Sequence, residues 1–205
     1  STRLINKKRP IRLWNNGIIF EKKKTYKNLS KLKEKLQSGI ELIGYDSKFP
    51  EIEVINILFD AISKNELKEN CKLTLLVSST TIMDIILSKY GENNYEDIKT
   101  SMINLDQDSL NKLDINKEDK RILNELIFTR GTPLKVIEKL RTIYGSNNIL
   151  NDLSDLFENL KPISDEYNID IQLDPTFQPH LNLYAGIVFQ LVCQNGSEKI
   201  VVAKG

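Results

Sequence analysis

Leu36-Gln37-Ser38-Gly39-Ile40-Glu41-Leu42-Ile43-Gly44 reads as a strand. Side chains along a strand alternate between faces, so Gln37, Gly39 and Glu41 share one face and Leu36, Ser38, Ile40 and Leu42 the other. The first face carries an amide, a gap and a carboxylate. A strand glycine has two readings: a bulge between solvated polar residues, or a place where something approaches the backbone closely. On the second reading Gln37 and Glu41 flank a small cationic group such as an amino acid's ammonium.

Upstream, Arg9-Pro10-Ile11-Arg12-Leu13-Trp14 leads into the turn signal Asn15-Asn16-Gly17, and Ile18-Ile19-Phe20 reads as a short strand. These predict an antiparallel pair, with a second pairing to the 36–44 strand. Between them, residues 22–35 hold seven lysines. That stretch is either a solvated hairpin loop or a local anion-binding loop, since clustered lysines attract phosphate.

Downstream, Pro50 precedes an amphipathic helix over residues 51–64, with Ile52, Ile55, Phe59 and Ile62 at spacings of three and four. Residues 71–77 read as a buried strand. Ser78, Ser79 and Thr80 are candidate caps for a helix through Ile82, Ile85, Ile86 and Tyr90, closed by Gly91. Residues 93–167 read as helical, with stripes at Ile122, Leu123, Leu126 and Ile127, at Leu134, Ile137, Leu140 and Arg141, and at Leu150, Leu153, Leu156, Phe157 and Leu160. Strand character returns at 169–174. After a loop bracketed by Pro175 and Pro179, residues 183–192 read as a strand with Asn182, Tyr184, Gly186, Val188 and Gln190 on one face. Asn195-Gly196 signals a hairpin into 199–203.

The 205 residues are 40% hydrophobic and 28% charged, the balance of a globular protein. A net charge of +1 supplies no global field toward nucleic acid or a membrane surface. No apolar run approaches the ~18 residues of a membrane span, and no signal peptide is recognisable at the start. Cys71 and Cys193 each sit in an apolar run and read as buried, reduced thiols, which suits the cytoplasm. The single histidine, His180, has no second ligand at metal spacing and no nucleophile elbow to serve. Neither GxxxxGK[ST] nor GxGxxG occurs, so the chain predicts no metal, no cofactor and no catalytic residue.

Two stretches together resemble the histidine branch of the class II aminoacyl-tRNA synthetases. Gly17-Ile18-Ile19-Phe20 with the 36–44 strand looks like motif 2, which ends in a pattern like H-Q-x-G-x-E-x-x-G. Leu181-Asn182-Leu183-Tyr184-Ala185-Gly186-Ile187-Val188-Phe189 looks like the histidine signature R-G-L-D-Y-Y-T-G-I-V-F. The resemblance implies an α+β fold: a mostly antiparallel sheet flanked by helices. Residues 1–78 and 168–205 would form the synthetase-like core, and 79–167 a helical insertion. Motif 1 would lie before Ser1 and motif 3 after Gly205, so this span is expected to be part of a longer protein.

The departures carry the functional reading. The family's motif 2 arginine, which holds the α-phosphate of ATP, is replaced by Glu21. The signature arginine is replaced by Pro179, with His180 in the glycine position. A carboxylate cannot stand in for a guanidinium fork. Losing one preorganised charge-stabilising group costs about 10²–10³ in rate. The amino-acid side of the site is retained: Gln37, Gly39 and Glu41 match the positions that hold histidine's ammonium, and Tyr184 and Gly186 those that shape the imidazole site. Asn182 and Leu183 depart from the family's Asp and Tyr, which alters imidazole recognition.

This combination, with the 9–14 lead-in and Arg130-Gly131-Thr132-Pro133, is similar to the synthetase-like regulatory subunits of ATP phosphoribosyltransferase. That resemblance implies a non-catalytic cytoplasmic subunit. It would join a short-form catalytic subunit in a hetero-oligomer, as a homodimer within it, activate it, and take part in feedback inhibition by L-histidine. The rival readings are an active histidyl-tRNA synthetase and a tRNA-binding module using the lysines of 22–35.

Overall fold

The computed structural model describes residues 8–24, 30–45, 48–64, 71–178 and 185–205. The chain forms two compact units, Ser1–Leu58 and Phe59–Gly205.

The first unit is built on a long antiparallel hairpin, β1 (Ile11–Lys24) and β2 (Ser30–Ile43). The expected turn at Asn15-Asn16-Gly17 does not form, and β1 runs straight through it. Asn15, Asn16 and Gly17 lie opposite Gly39, Ser38 and Gln37, and the continuous ladder outweighs local turn preference. The lysine-rich stretch is mostly strand, not loop. Lys22, Lys33 and Lys35 sit on the ladder, and residues 25–29 lie outside the described residues.

Directly opposed residues share a face, so the register sorts the hairpin. Trp14 faces Ile40, Ile18 faces Leu36 and Lys22 faces Leu32, with Phe20 between them. This apolar face is open: Trp14 is 80% and Leu36 73% exposed. Helix α1 (Pro50–Ser63) starts on its proline, with Glu51 and Glu53 in the first turn where the helix dipole favours carboxylates.

The second unit holds a four-stranded sheet of order β4-β3-β5-β6, with β3 (Lys72–Ser79), β4 (Asp170–Leu173), β5 (Ile187–Asn195) and β6 (Glu198–Lys204). Among the described residues, only the β3–β4 pairing is parallel. Between β3 and β4 the described chain is helical: α2 (Thr80–Leu87), α3 (Glu92–Ile103), α4 (Gln107–Lys112), α5 (Lys117–Ile127), α6 (Pro133–Tyr144) and α7 (Asn148–Tyr167). Local chemistry sets the ends. Asn116 and Asn147 accept the backbone N–H groups of Asp119 and Leu150 at 2.8 and 2.9 Å, Pro133 opens α6, and left-handed Asn168 ends α7.

The helical stripes are buried except on α6, where Leu134 and Arg141 are only partly buried and Val136 joins Ile137 and Leu140 in the core. One sheet face, carrying Leu73, Leu75, Val77, Ile171, Leu173, Phe189 and Leu191, is buried. The other carries polar side chains. None of the described helices is long and apolar enough to cross a membrane.

Two expectations fail here. Cys71 and Cys193 are not free thiols: they form a disulfide, their Cα atoms 5.7 Å apart. The β3–β5 ladder brings together cysteines 122 residues apart in sequence, which no local spacing could signal. This also removes the cysteine argument for a reducing compartment. Within the described residues the expected 183–192 strand begins at Ile187, since Gly186 has φ +82° and interrupts the extended run, while residues 183 and 184 lie outside the described residues.

Candidate functional site

On the second face of the hairpin, Glu41 lies opposite Leu13, Gly39 opposite Asn15, and Gln37 opposite Gly17. Gln37 and Glu41 are exposed. The space over Gly39 is occupied. A Cβ built there would meet Asn15 Oδ1 at 2.9 Å and Nδ2 at 3.3 Å, so the close approach that the glycine permits is made by the neighbouring strand's amide. The strip therefore presents two amides and a carboxylate in a row, with no hole between them. Such a row is rich in hydrogen-bond acceptors and suits a cation.

Further along the same face stands Glu21, the residue in the place of the family's phosphate-binding arginine. Lys35 Nζ lies 2.6 Å from its carboxylate, with both side chains about half exposed. Lys33 lies directly opposite Glu21 and Lys35 diagonally from it, and it is Lys35 that pairs with the carboxylate.

The hairpin's base is fixed by an ionic cluster. Arg12 donates from Nε and Nη2 to the two oxygens of Glu53 at 2.5 and 3.0 Å, and its guanidinium sits 5.3 Å from the Tyr45 ring centre. Hydrogen bonds from Arg12 and then Tyr45 hold the Glu53 carboxyl below its usual range. This fork ties strand β1 to the first turn of α1.

The histidine-signature stretch is described only at its flanks. Tyr184, with Pro179, His180, Asn182 and Leu183, lies outside the described residues. Both flanks are tied to the β3–α2 junction. Gln178, 6% exposed, donates from Nε2 to Ser78 Oγ (3.1 Å) and the Ser79 carbonyl (3.0 Å). Gly186 donates its N–H to Thr80 Oγ1 (2.9 Å), and its carbonyl accepts from the Thr80 N–H (2.9 Å). Upstream, Asp174 Oδ1 accepts from Thr176 N and Oγ1 and from Phe177 N, closing the Pro175 turn. Sequence reading missed Gln178 and Thr80 as anchors. A glutamine between a phenylalanine and a proline carries no pattern that marks it as buried.

Among the described residues, β2 and the β5 strand that follows Gly186 lie in different sheets. β2 pairs with β1, while β5 pairs with β3 and β6. Gln37, Gly39 and Glu41 belong to one compact unit and Gly186 to the other.

A mostly antiparallel sheet, a parallel β3–β4 crossover filled by helices, and a motif 2-like hairpin define a class II synthetase-like α+β domain. Solved structures bear out the fold. A Bacillus halodurans ATP phosphoribosyltransferase regulatory subunit/histidyl-tRNA synthetase superposes with TM-score 0.77 at 20% identity, covering 98% of this chain and 52% of that one. The ATP phosphoribosyl transferase (HisG:HisZ) complex from Thermotoga maritima gives 0.74 at 16% identity, covering 100% and 70%. The histidyl-tRNA synthetase family model matches residues 1–205, and the chain belongs to that family.

Among curated relatives, an ATP phosphoribosyltransferase regulatory subunit of Prochlorococcus marinus subsp. pastoris is 63% identical over the whole chain, which covers 54% of that protein. The same-named protein of Prochlorococcus marinus strain MIT 9313 is 41% identical, with 52% of its length covered. The chain spans about half the length of the curated relatives it matches.

Proposed function

We propose that this chain is part of a non-catalytic regulatory subunit of ATP phosphoribosyltransferase, the first enzyme of histidine biosynthesis. It partners a short-form catalytic subunit in a hetero-oligomer, activates it, and takes part in feedback inhibition by histidine. The observation that carries this reading is the 63% identity, over all 205 residues, to a relative of that name. The chemistry of the hairpin agrees. Where adenylation requires an arginine against phosphate, this chain has Glu21, paired with Lys35 at 2.6 Å. The test is co-purification of the full-length protein with a short-form catalytic subunit whose activity depends on it.

We further propose L-histidine as a ligand, with its ammonium on Gln37 and Glu41 beside Gly39, and Tyr184 and Gly186 on its ring side. The exposed acceptor row of β2 supports the ammonium half. Since β2 and β5 belong to separate sheets, the ring half rests on the resemblance alone. Calorimetric titration of the full-length protein with histidine tests this, with Glu41→Ala abolishing the signal. No binding by folded wild type rejects the ligand site and leaves the regulatory assignment standing. Feedback control also requires that histidine bind the inhibited assembly more tightly than the active one.

A homodimer within the hetero-oligomer, a core of residues 1–78 and 168–205 with a helical insertion at 79–167, and a cytoplasmic location complete the proposal. Sedimentation, limited proteolysis and acid-quenched thiol labelling in cells test these in turn.

A further inference from the structure

The polar face of the four-stranded sheet is organised across its strands. The ladders align Gln172, Leu76 and Gln190 in one row, Asp170, Thr74, Val192 and Val201 in the next, and Lys72, Gln194 and Lys199 in a third. Directly opposed residues share a face, so these side chains project together. All of them but Asp170 line a concavity of about 400 Å³, floored by Leu76, Val192 and Val201. Arg130 joins it from the α5–α6 connection. The next residue, Gly131, exchanges backbone hydrogen bonds with Leu173 (3.2 and 2.8 Å), which pins Arg130 at the free edge of β4.

The charge on this face is one-sided. Lys72 and Lys199 stand at one end and Arg130 at the β4 edge, with Lys204 opposite Gln190 on the same face. The facing carboxylate is Asp170, and it accepts a hydrogen bond from Gln172 Nε2 at 2.9 Å. Among the described residues, Lys72, Arg130 and Lys199 form no ion pair. Gln172 and Gln194 each use one Nε2 hydrogen within the protein, on Asp170 and on the Gly196 carbonyl (3.1 Å), so the donors left around the concavity are the three unmatched cations and the remaining amide hydrogens.

We propose that this sheet face binds a small molecule carrying two or more phosphate groups. Arg130 offers a planar fork to one group, while Lys72 and Lys199 act as point charges on another. Gln190, with the second Nε2 hydrogens of Gln172 and Gln194, donates to the remaining oxygens. The volume is that of a small-molecule site and not of a macromolecular interface. Arg130 and the Lys72/Lys199 pair line the concavity as two separate cationic groups, so a ligand with two or more anionic groups can meet both, and the planar fork of Arg130 matches phosphate geometry.

The experiment is calorimetric titration of the full-length protein with inorganic pyrophosphate, and with citrate as the carboxylate counterpart, at 150 mM salt. Wild type is expected to bind pyrophosphate at least tenfold more tightly than citrate. Arg130→Ala, and the double variant Lys72→Ala/Lys199→Ala, each weaken pyrophosphate tenfold or more. Lys72→Arg/Lys199→Arg retains it. Lys161→Ala, which removes a lysine paired with Asp165, leaves it unchanged. Circular dichroism verifies that each variant is folded. The proposal is overturned if folded wild type does not bind pyrophosphate, if citrate binds as tightly, or if Lys161→Ala weakens binding as much as the sheet-face variants.

Discussion

Glu53 shows how a single carboxylate organises the hairpin's base. Its ionisation is held low by Arg12 and Tyr45, so the charged form is favoured in the folded state. A depressed folded pKa contributes stability above the unfolded carboxylate's pKa, and that contribution fades as pH falls through the folded value. Glu53→Gln should therefore lower the melting temperature at neutral pH, and the gap to wild type should close in acid below the ordinary carboxylate range. A pH series of thermal melts checks this; a gap independent of pH would assign Glu53 a packing role instead. Gln178 makes a second case. Gln178→Leu strands Ser78 Oγ and the Ser79 carbonyl in a buried site and should cost about 1–3 kcal/mol by urea denaturation. Gly39 was legible from the sequence as a close-approach position. What approaches it was not, because Asn15 reaches it only through the hairpin register.

At the level of elements, periodicity carried most of the reading. The stripes of α5, α6 and α7 lie in the core, and Asn195-Gly196 does turn β5 into β6, because these signals are local. The misreadings share a different cause. Asn15-Asn16-Gly17 was overruled by a cross-strand ladder, and the Cys71–Cys193 bond depends on which strands become neighbours. Neither is written in nearby residues. The disulfide closes a separation of 122 residues, so Cys193→Ser should lower stability by about 2–5 kcal/mol under oxidising conditions and by little under reducing ones. Equilibrium unfolding with and without reductant reads this directly. A two-stranded hairpin with an open apolar face is marginal by itself. Trp14, the protein's single tryptophan, lies on that face. In the 205-residue chain its emission should match free tryptophan and be fully quenched by acrylamide. A blue-shifted, protected signal would contradict the exposed face.

For the whole molecule, the family was readable because two short motifs occur in the right order, and the functional reading came from what had changed within them. Glu21 in place of the family's arginine is the departure on which the proposed non-catalytic reading rests. The structure adds that Lys35 is neutralised by that carboxylate instead of replacing the missing cation. The arrangement of Gln37 and Glu41 relative to the histidine signature was not readable, since it depends on how two separate compact units meet. The central claim is regulation without catalysis. The direct measurement is the rate of phosphoribosyl transfer to ATP by a short-form catalytic subunit, with and without the full-length protein. The account predicts a catalytic subunit that is nearly inactive alone and strongly activated on addition, with no turnover by this protein by itself. An unchanged rate with both proteins folded and mixed in excess would contradict it.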